Sequence, residues 1–75
     1  MKLVPVESSM LVAIGYDAAT NELEAVFTSG AVWWYRGVPR KVYKELLASD
    51  SKGSYMRDLV IGQYPDYQVI RRTNK

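Results

Sequence analysis

The sequence predicts an α+β fold in which an antiparallel three-stranded β-meander is followed by two helices packed on one face of the sheet. Before Pro39, apolar and polar residues alternate with a period of two, which is typical of strands with one buried face. After Pro39, apolar residues recur at the spacing of one helix face. Residues with strong turn preferences stand between the alternating segments, and they separate the predicted strands.

The first two predicted strands are joined by DAATN, in which Asp17 and Asn21 favour a turn. The first strand is predicted from about Leu11 to Tyr16. One of its faces comprises Val12, Ile14 and Tyr16. The second strand lies within ELEAVFT, and its predicted core face comprises Leu23, Ala25 and Phe27.

The turn before the third strand, AVWWYR, determines the register of the second hairpin. A two-residue loop would require positive φ at Ser29 as well as at Gly30, and serine adopts that conformation poorly. A three-residue loop, Thr28-Ser29-Gly30, places only Gly30 in the left-handed region. In that register Ala25 pairs with Trp33.

This register places consecutive aromatic residues on opposite faces of the sheet. Trp33 and Tyr35 join the core as a structural aromatic pair, whereas Trp34 and Arg36 lie on the other face. A slip of one residue would exchange the two sets. The role of Trp34 therefore depends on what packs against that other face.

The second half of the chain is predicted to be mainly helical. Pro39 suits the first turn of a helix, because its missing N–H is not needed there. The predicted buried face of this helix comprises Val42, Tyr43, Leu46 and Leu47. Its outer face comprises Arg40, Lys41 and Lys44. A second helix follows the SDSKGS break and ends near Gly62. Its predicted buried residues are Tyr55, Met56, Leu59 and Val60.

The C-terminal segment PDYQVIRR could add a short final strand with Tyr67 and Val69 facing inward. The tail, about residues 71–75, is expected to fray. The chain has 75 residues, so residues 1–75 are interpreted as a single domain.

The absence of His and Cys excludes several classes of function. Without them the chain cannot form a disulfide, a usual zinc site, or a Ser–His or Cys–His catalytic pair. The carboxylates form no recognisable acid–base pair, so we expect no enzyme activity, metal or cofactor. No apolar run is long enough to cross a membrane, and MKLVPVESS is unlike a signal peptide. A cytoplasmic location is therefore expected. The oligomeric state expected for the chain is a monomer.

Positive charge is concentrated in the second half of the chain. Residues 1–35 have a net charge of −3, and residues 36–75 have a net charge of +5. This asymmetry suggests an anionic partner for the second half. The alternative is an ordinary solvated surface of mixed sign.

Five residues form a candidate nucleic-acid-binding site: Trp34, Arg36, Arg40, Lys41 and Lys44. An exposed Trp34 could stack on a base, and the four cations could contact phosphates. Alternatively, Trp34 packs beneath the C-terminal segment, or it anchors a protein partner together with neighbouring apolar residues. The candidate partners are RNA, another nucleic acid, or a protein.

The segment Ser51-Lys52-Gly53-Ser54 is superficially similar to a phosphate-binding loop. It lacks the spacing of a Walker A motif, and no strand is predicted directly before it. We interpret it as an interhelical turn in which Ser51 or Ser54 caps the second helix.

Three segments, VESSMLVAIGYD, LEAVFTSGAVWWYRGVP and VYKELLASDSKGSYM, together resemble the KTSC domain. The resemblance rests on the order and spacing of Ser8-Ser9, Gly15-Tyr16-Asp17, Phe27, Gly30, the pair Trp33 and Tyr35, Val38-Pro39, Tyr43 and Ser51-x-Gly53. It implies a small stand-alone bacterial or phage protein, similar to the C-terminal region of some lysyl-tRNA synthetases, with no settled biochemical function. RNA binding is suggested for the family through that fusion. Arg57 and Ile61 depart from the pattern, which commonly has an Asn and then a basic residue at these places.

Overall fold

The computed structural model describes residues 2–69, which form a five-stranded antiparallel sheet with helices on one face. The strands are β1 (Leu3–Pro5), β2 (Leu11–Asp17), β3 (Glu22–Phe27), β4 (Val32–Tyr35) and β5 (Asp66–Val69). Between β4 and β5 lie α1 (Arg40–Ala48) and α2 (Lys52–Tyr55), and α2 continues directly into a π-helical turn, Met56–Val60. The predicted frayed tail at 71–75 lies outside the described residues.

The α+β class and the central meander are confirmed, but the predicted three-stranded sheet is too small. The observed order is β1-β2-β3-β4-β5, so β1 extends one edge and the foreseen C-terminal strand extends the other. Strand β1 has only three residues and ends at Pro5, which is too short for a period of two to be recognised. It is held by its pairing with β2, in which Val4 lies opposite Ile14.

The predicted register of the β3–β4 hairpin is confirmed. Ala25 pairs with Trp33, and Gly30 has a φ of 95°. The Gly30 amide donates to the Phe27 carbonyl at 2.9 Å, and the Phe27 amide donates to the Ala31 carbonyl at 2.9 Å. Only glycine adopts this left-handed conformation without steric cost, so the local turn sets which side chains face the helices.

The predicted facing of Val12 is wrong, because β2 contains an irregularity. Leu11 pairs with Phe27 and Ala13 pairs with Val26, which leaves Val12 as the additional residue of a β-bulge. Leu11 is therefore buried, with 1% of its surface exposed, while Val12 is 49% exposed. Because of the bulge, Leu11 rather than Val12 lies on the same face of the sheet as Ile14.

The core lies between the sheet and the helical layer. Its fully buried members are Leu11, Ile14, Leu23, Ala25, Tyr35, Val38, Leu46, Met56 and Val60. Trp33 is partly buried against this cluster, as are the predicted inner residues Val42, Tyr43 and Leu47. The side chains that face the helices from β4, and those on the inner face of α1, therefore lie where the sequence predicts.

Burial and the nearby Asp66 carboxylate raise the pKa of Tyr35 to about 12.

Leu59 was predicted to be buried, but it is 51% exposed. The reason is the π-helical turn, in which the Ile61 amide donates to the Met56 carbonyl at 2.7 Å, five residues earlier. A π turn contains one more residue than an α turn. Met56 and Val60, four residues apart, both face the core as they would in an α-helix, but the wider turn displaces Leu59 outward.

Tyr67 and Val69 were predicted to face inward, and this is also wrong. Strand β5 pairs with β4 so that Tyr67 lies opposite Trp34 and Val69 lies opposite Val32. Directly paired residues share a face of the sheet. Both side chains therefore lie on the side opposite the helices, which we call the outer face.

Candidate functional site

Trp34 lies on the outer face between β3 and β5. Its cross-strand neighbours are Glu24, which is 1% exposed, and Tyr67, which is 38% exposed. The Trp34 and Tyr67 rings meet edge to face, with centroids 5.7 Å apart and an interplanar angle of 62°. Trp34 is half-buried, and among residues 2–69 its buried indole Nε1 has no hydrogen-bond acceptor. The ring is thus packed against the C-terminal strand while part of it is still accessible.

Trp33→Ala is expected to destabilise the protein more than Trp34→Ala, by about 2–3 kcal/mol against about 1 kcal/mol. Trp33 packs against the core, whereas the packing of Trp34 is offset by its buried N–H, which lacks an acceptor in the described part of the chain. Denaturant midpoints measured at constant m-value would test this difference. Equal losses would mean that Trp34 is as structurally important as Trp33.

Arg36 is positioned by two contacts on the outer face. Its Nε lies 3.6 Å from Glu22 Oε2, and its guanidinium carbon lies 5.4 Å from the centre of the Tyr67 ring. The Tyr67 hydroxyl donates to the same Glu22 oxygen at 3.2 Å, and partial burial and this hydrogen bond raise the pKa of Tyr67. The Arg36 side chain is still 66% exposed. Only 15% of the Glu22 side chain is exposed, so the accessible part of this ion pair is the guanidinium.

The other three predicted cations form a basic face on α1, which we define as Arg40, Lys41 and Lys44. All three side chains are exposed, and no described carboxylate lies within ion-pair distance of them. They project within an arc of about 100°. The first turn of α1 contains no acidic residue, and Arg40 and Lys41 lie there at the positive end of the helix dipole, which is locally unfavourable. Helix stability therefore does not explain the basic face.

The structure does not bring all five predicted residues onto one surface. The helices pack against the face of the sheet that carries Ile14, Leu23 and Tyr35, whereas Trp34 faces the opposite side. The basic face of α1 and Trp34 thus lie on opposite sides of the sheet. Trp34 and Arg36 form one group with Tyr67, and the three α1 cations form another.

A third feature was missed by the sequence analysis. Residues 7–10, which follow β1, approach residues 50–54, which run from the α1–α2 connection into α2. Together they line a polar cleft of about 240 Å³. Gly53 permits this approach, because a Cβ at that position would lie 3.3 Å from both Cβ and Sδ of Met10. From the sequence, Ser8 is only part of a family pattern, and Ser51-Lys52-Gly53-Ser54 is interpreted as an interhelical turn despite its superficial similarity to a phosphate-binding loop. The available signal was that both segments are rich in Ser, but nothing in the sequence indicates that they meet.

In residues 2–69 no helix combines the length and the apolar character needed to cross a bilayer. The same residues contain no group of three or more carboxylates arranged to hold a metal ion.

The five-stranded sheet covered by helices on one face defines a small α+β domain, with a basic helix face on one side of the sheet and an aromatic group that includes Arg36 on the other. The KTSC domain model matches residues 7–64, so the chain belongs to the KTSC domain family. A crystal structure of a KTSC domain protein from Yersinia pestis is similar, with a TM-score of 0.89 and 28% sequence identity. The similarity covers 91% of this chain and 96% of that one.

Similar sequences occur both as small proteins and within a synthetase. An uncharacterized protein of Stutzerimonas stutzeri is 39% identical over 70 residues, which cover 93% of this chain and 99% of the relative. A protein of Tsukamurella paurometabola is 45% identical over 56 residues, covering 75% and 84% of the two chains. A lysine–tRNA ligase of Nostoc sp. is 36% identical over 67 residues, which cover 89% of this chain but only 12% of the ligase.

Proposed function

We propose that this KTSC domain is a non-enzymatic module that binds RNA through the basic face of α1. The observation that carries the proposal is that Arg40, Lys41 and Lys44 are exposed together and have no carboxylate partner among the described residues. Cations that are not paired within the protein can neutralise phosphates without first breaking an ion pair. Each such contact with a nucleic acid releases bound counterions, and this release drives association.

RNA is favoured over DNA by the similarity to the Nostoc lysine–tRNA ligase, whose name states that it acts on a tRNA. The similar segment is a small part of that enzyme. A segment of this size is compatible with an accessory contact to the nucleic acid, separate from the chemical step. The proposal transfers only this kind of contact to the present chain.

Arg36 could extend the contact beyond α1. Only residues 37–39 separate it from the first residue of the helix, and its exposed guanidinium is held over Tyr67. A strand bound along α1 could continue past this connection to Arg36 at the end of β4. Trp34, further along the outer face, would then offer its accessible edge to a base.

The test is the salt dependence of binding to a short single-stranded RNA. Replacing Arg40, Lys41 and Lys44 together with Gln is expected to flatten the slope of log K against log salt by up to about two units, because each phosphate contact contributes about 0.7. Fluorescence anisotropy with a labelled oligonucleotide measures this slope. Lys2→Gln, a single charge removed from an exposed lysine outside α1, is the control for a general charge effect. If the wild-type protein shows no salt-sensitive association at low ionic strength, the proposal is wrong.

A second candidate function is protein interaction centred on Trp34. It is favoured by the half-buried Trp34 ring beside the accessible Tyr67, because aromatic residues commonly dominate the energetics of interfaces. For a protein partner, the expected order of the effects on binding is the reverse of the order expected for RNA. Trp34→Ala would abolish binding, whereas salt and the three Gln substitutions on α1 would have little effect.

A further inference from the structure

The polar cleft between residues 7–10 and 50–54 has a separation of charge with depth. Its half-buried lining includes Ser8, Lys52 and Ser54, whereas the carboxylates of Glu7 and Asp50 are exposed at the rim. The inner part of the cleft therefore presents hydroxyls and one cation, and the negative charges are in contact with solvent. Solvent screens exposed charges more strongly than partly buried ones.

Two inner hydroxyls are free to donate a hydrogen bond. Ser8 Oγ accepts hydrogen bonds from the amides of Met10 at 3.1 Å and Leu11 at 3.3 Å. Ser54 Oγ accepts from Arg57 Nη2 at 3.3 Å. In the described part of the chain neither hydroxyl donates to any acceptor. Because a serine hydroxyl has one proton to donate, both groups are suited to a ligand that only accepts hydrogen bonds.

Lys52 supplies a positive charge that forms no ion pair within the described residues. Its Nζ donates to the Ser49 carbonyl at 3.0 Å, which leaves two of its three N–H donors available. Among residues 2–69 no carboxylate lies within ion-pair distance of this ammonium group. The Arg57 guanidinium stands at the rim, held by Ser54 and paired with Asp58 at 3.6 Å. The cleft thus joins one uncompensated cation to several donors.

We propose that this cleft binds a phosphate group. A phosphate presents several acceptor oxygens in a tetrahedral arrangement, so it can accept from Ser8, Lys52 and Ser54 at the same time. A carboxylate has only two oxygens and satisfies fewer of these donors. The volume of about 240 Å³ is below the range of drug-sized ligand pockets, which suits a phosphate with a few attached atoms.

The proposal is independent of RNA binding through α1, because the cleft shares no residue with the basic face. The phosphate could belong to the end of an RNA strand or to a small phosphorylated molecule. Both sources present the same chemical group to Lys52 and the two hydroxyls, so the experiment must distinguish them.

The first experiment titrates the full ¹⁵N-labelled chain with inorganic phosphate at constant ionic strength, with acetate as the comparison anion. Saturable amide shifts are expected at residues 8–10 and 52–54 with phosphate, and much weaker effects with acetate. Lys52→Gln is expected to reduce the phosphate affinity about tenfold, because it removes a charge-assisted hydrogen bond. Lys2→Gln makes the same charge change at an exposed lysine outside both the cleft and α1, and it should leave the affinity unaltered.

Lys52→Gln also alters the bond to the Ser49 carbonyl, so a second variant is needed. Ser54→Ala removes one donor of the cleft, preserves the charge and is expected to weaken phosphate binding several-fold, while the rest of the amide spectrum is retained. Shifts that do not saturate, shifts of equal size with acetate, or equal affinities for the wild type and both cleft variants would overturn the proposal.

The second experiment compares a short RNA carrying a 5′-phosphate with the same RNA carrying a 5′-hydroxyl. If the ligand is an RNA end, the phosphorylated strand binds about tenfold more tightly, and Lys52→Gln removes the difference. If the ligand is a small molecule, inorganic phosphate saturates the cleft while the two strands bind alike. The triple α1 variant should leave the phosphate titration unchanged, so loss of RNA binding through α1 and failure of the phosphate site are distinguishable.

Discussion

Tyr35→Ala is expected to lower the free energy of unfolding by about 3–5 kcal/mol, the usual cost of truncating a buried aromatic residue. Tyr35 is only 2% exposed and belongs to the cluster that joins the sheet to the helices. Alanine would leave a cavity between β4 and the helical layer, and a closely packed core closes such a cavity only in part. Urea or guanidinium unfolding followed by circular dichroism measures the loss.

Tyr35→Phe is the matched control, because it preserves the ring and removes the hydroxyl. Its cost at neutral pH should be small. The pKa of Tyr35 is raised from 10 to about 12 in the folded protein, so folding favours the neutral phenol. The wild type should therefore lose stability as the pH rises from 10 towards 12, and Tyr35→Phe should lose less over that window. A Phe variant as unstable as the Ala variant would contradict the packing argument.

Leu46→Ala is expected to cost about 2–4 kcal/mol. Leu46 is the fully buried residue of α1 and belongs to the core cluster, whereas Val42, Tyr43 and Leu47 are only partly buried against it. Other contacts between the sheet and this part of the chain would remain in the variant. The Tyr16 ring stacks on Tyr43 of α1 with centroids 4.9 Å apart, and the Tyr16 hydroxyl donates to the Val38 carbonyl at 2.7 Å. Equilibrium unfolding in denaturant would give the value.

Leu47→Ala is the internal comparison for this substitution. Leu47 is the next residue of the same helix and is only partly buried, so both variants change helix propensity equally. Leu47→Ala should cost clearly less than Leu46→Ala. If the order were reversed, the helix would be rotated about its axis relative to the observed packing.

The β3–β4 hairpin could be predicted because its register depends on residues close together in the chain. Gly30 tolerates the left-handed conformation that the three-residue turn requires. The period of two then places Tyr35 towards the helices and Trp34 on the outer face. The outer position of Lys44 on α1 was predictable for a similar reason, since helical periodicity relates each residue to its neighbours three and four positions away.

Four side-chain placements could not be predicted in this way. Val12 is exposed because the bulge in β2 is defined by its pairing with β3. Leu59 is exposed because a π turn interrupts the α-helical spacing. Tyr67 and Val69 lie on the outer face because β5 pairs with β4 in a register that only the assembled sheet specifies. Each depends on a partner or a packing arrangement that the local pattern does not contain.

The α+β class, the hairpin register and the orientation of α1 were determined by the sequence alone, because turn preference and periodicity act over a few residues. Two features of the candidate sites were decided only by the tertiary structure. Trp34 and the basic face of α1 lie on opposite sides of the sheet, and Ser8 meets Ser54 in one cleft. Both features arise where segments distant in the chain pack against each other, and no local pattern of polar and apolar residues specifies which distant segments will meet.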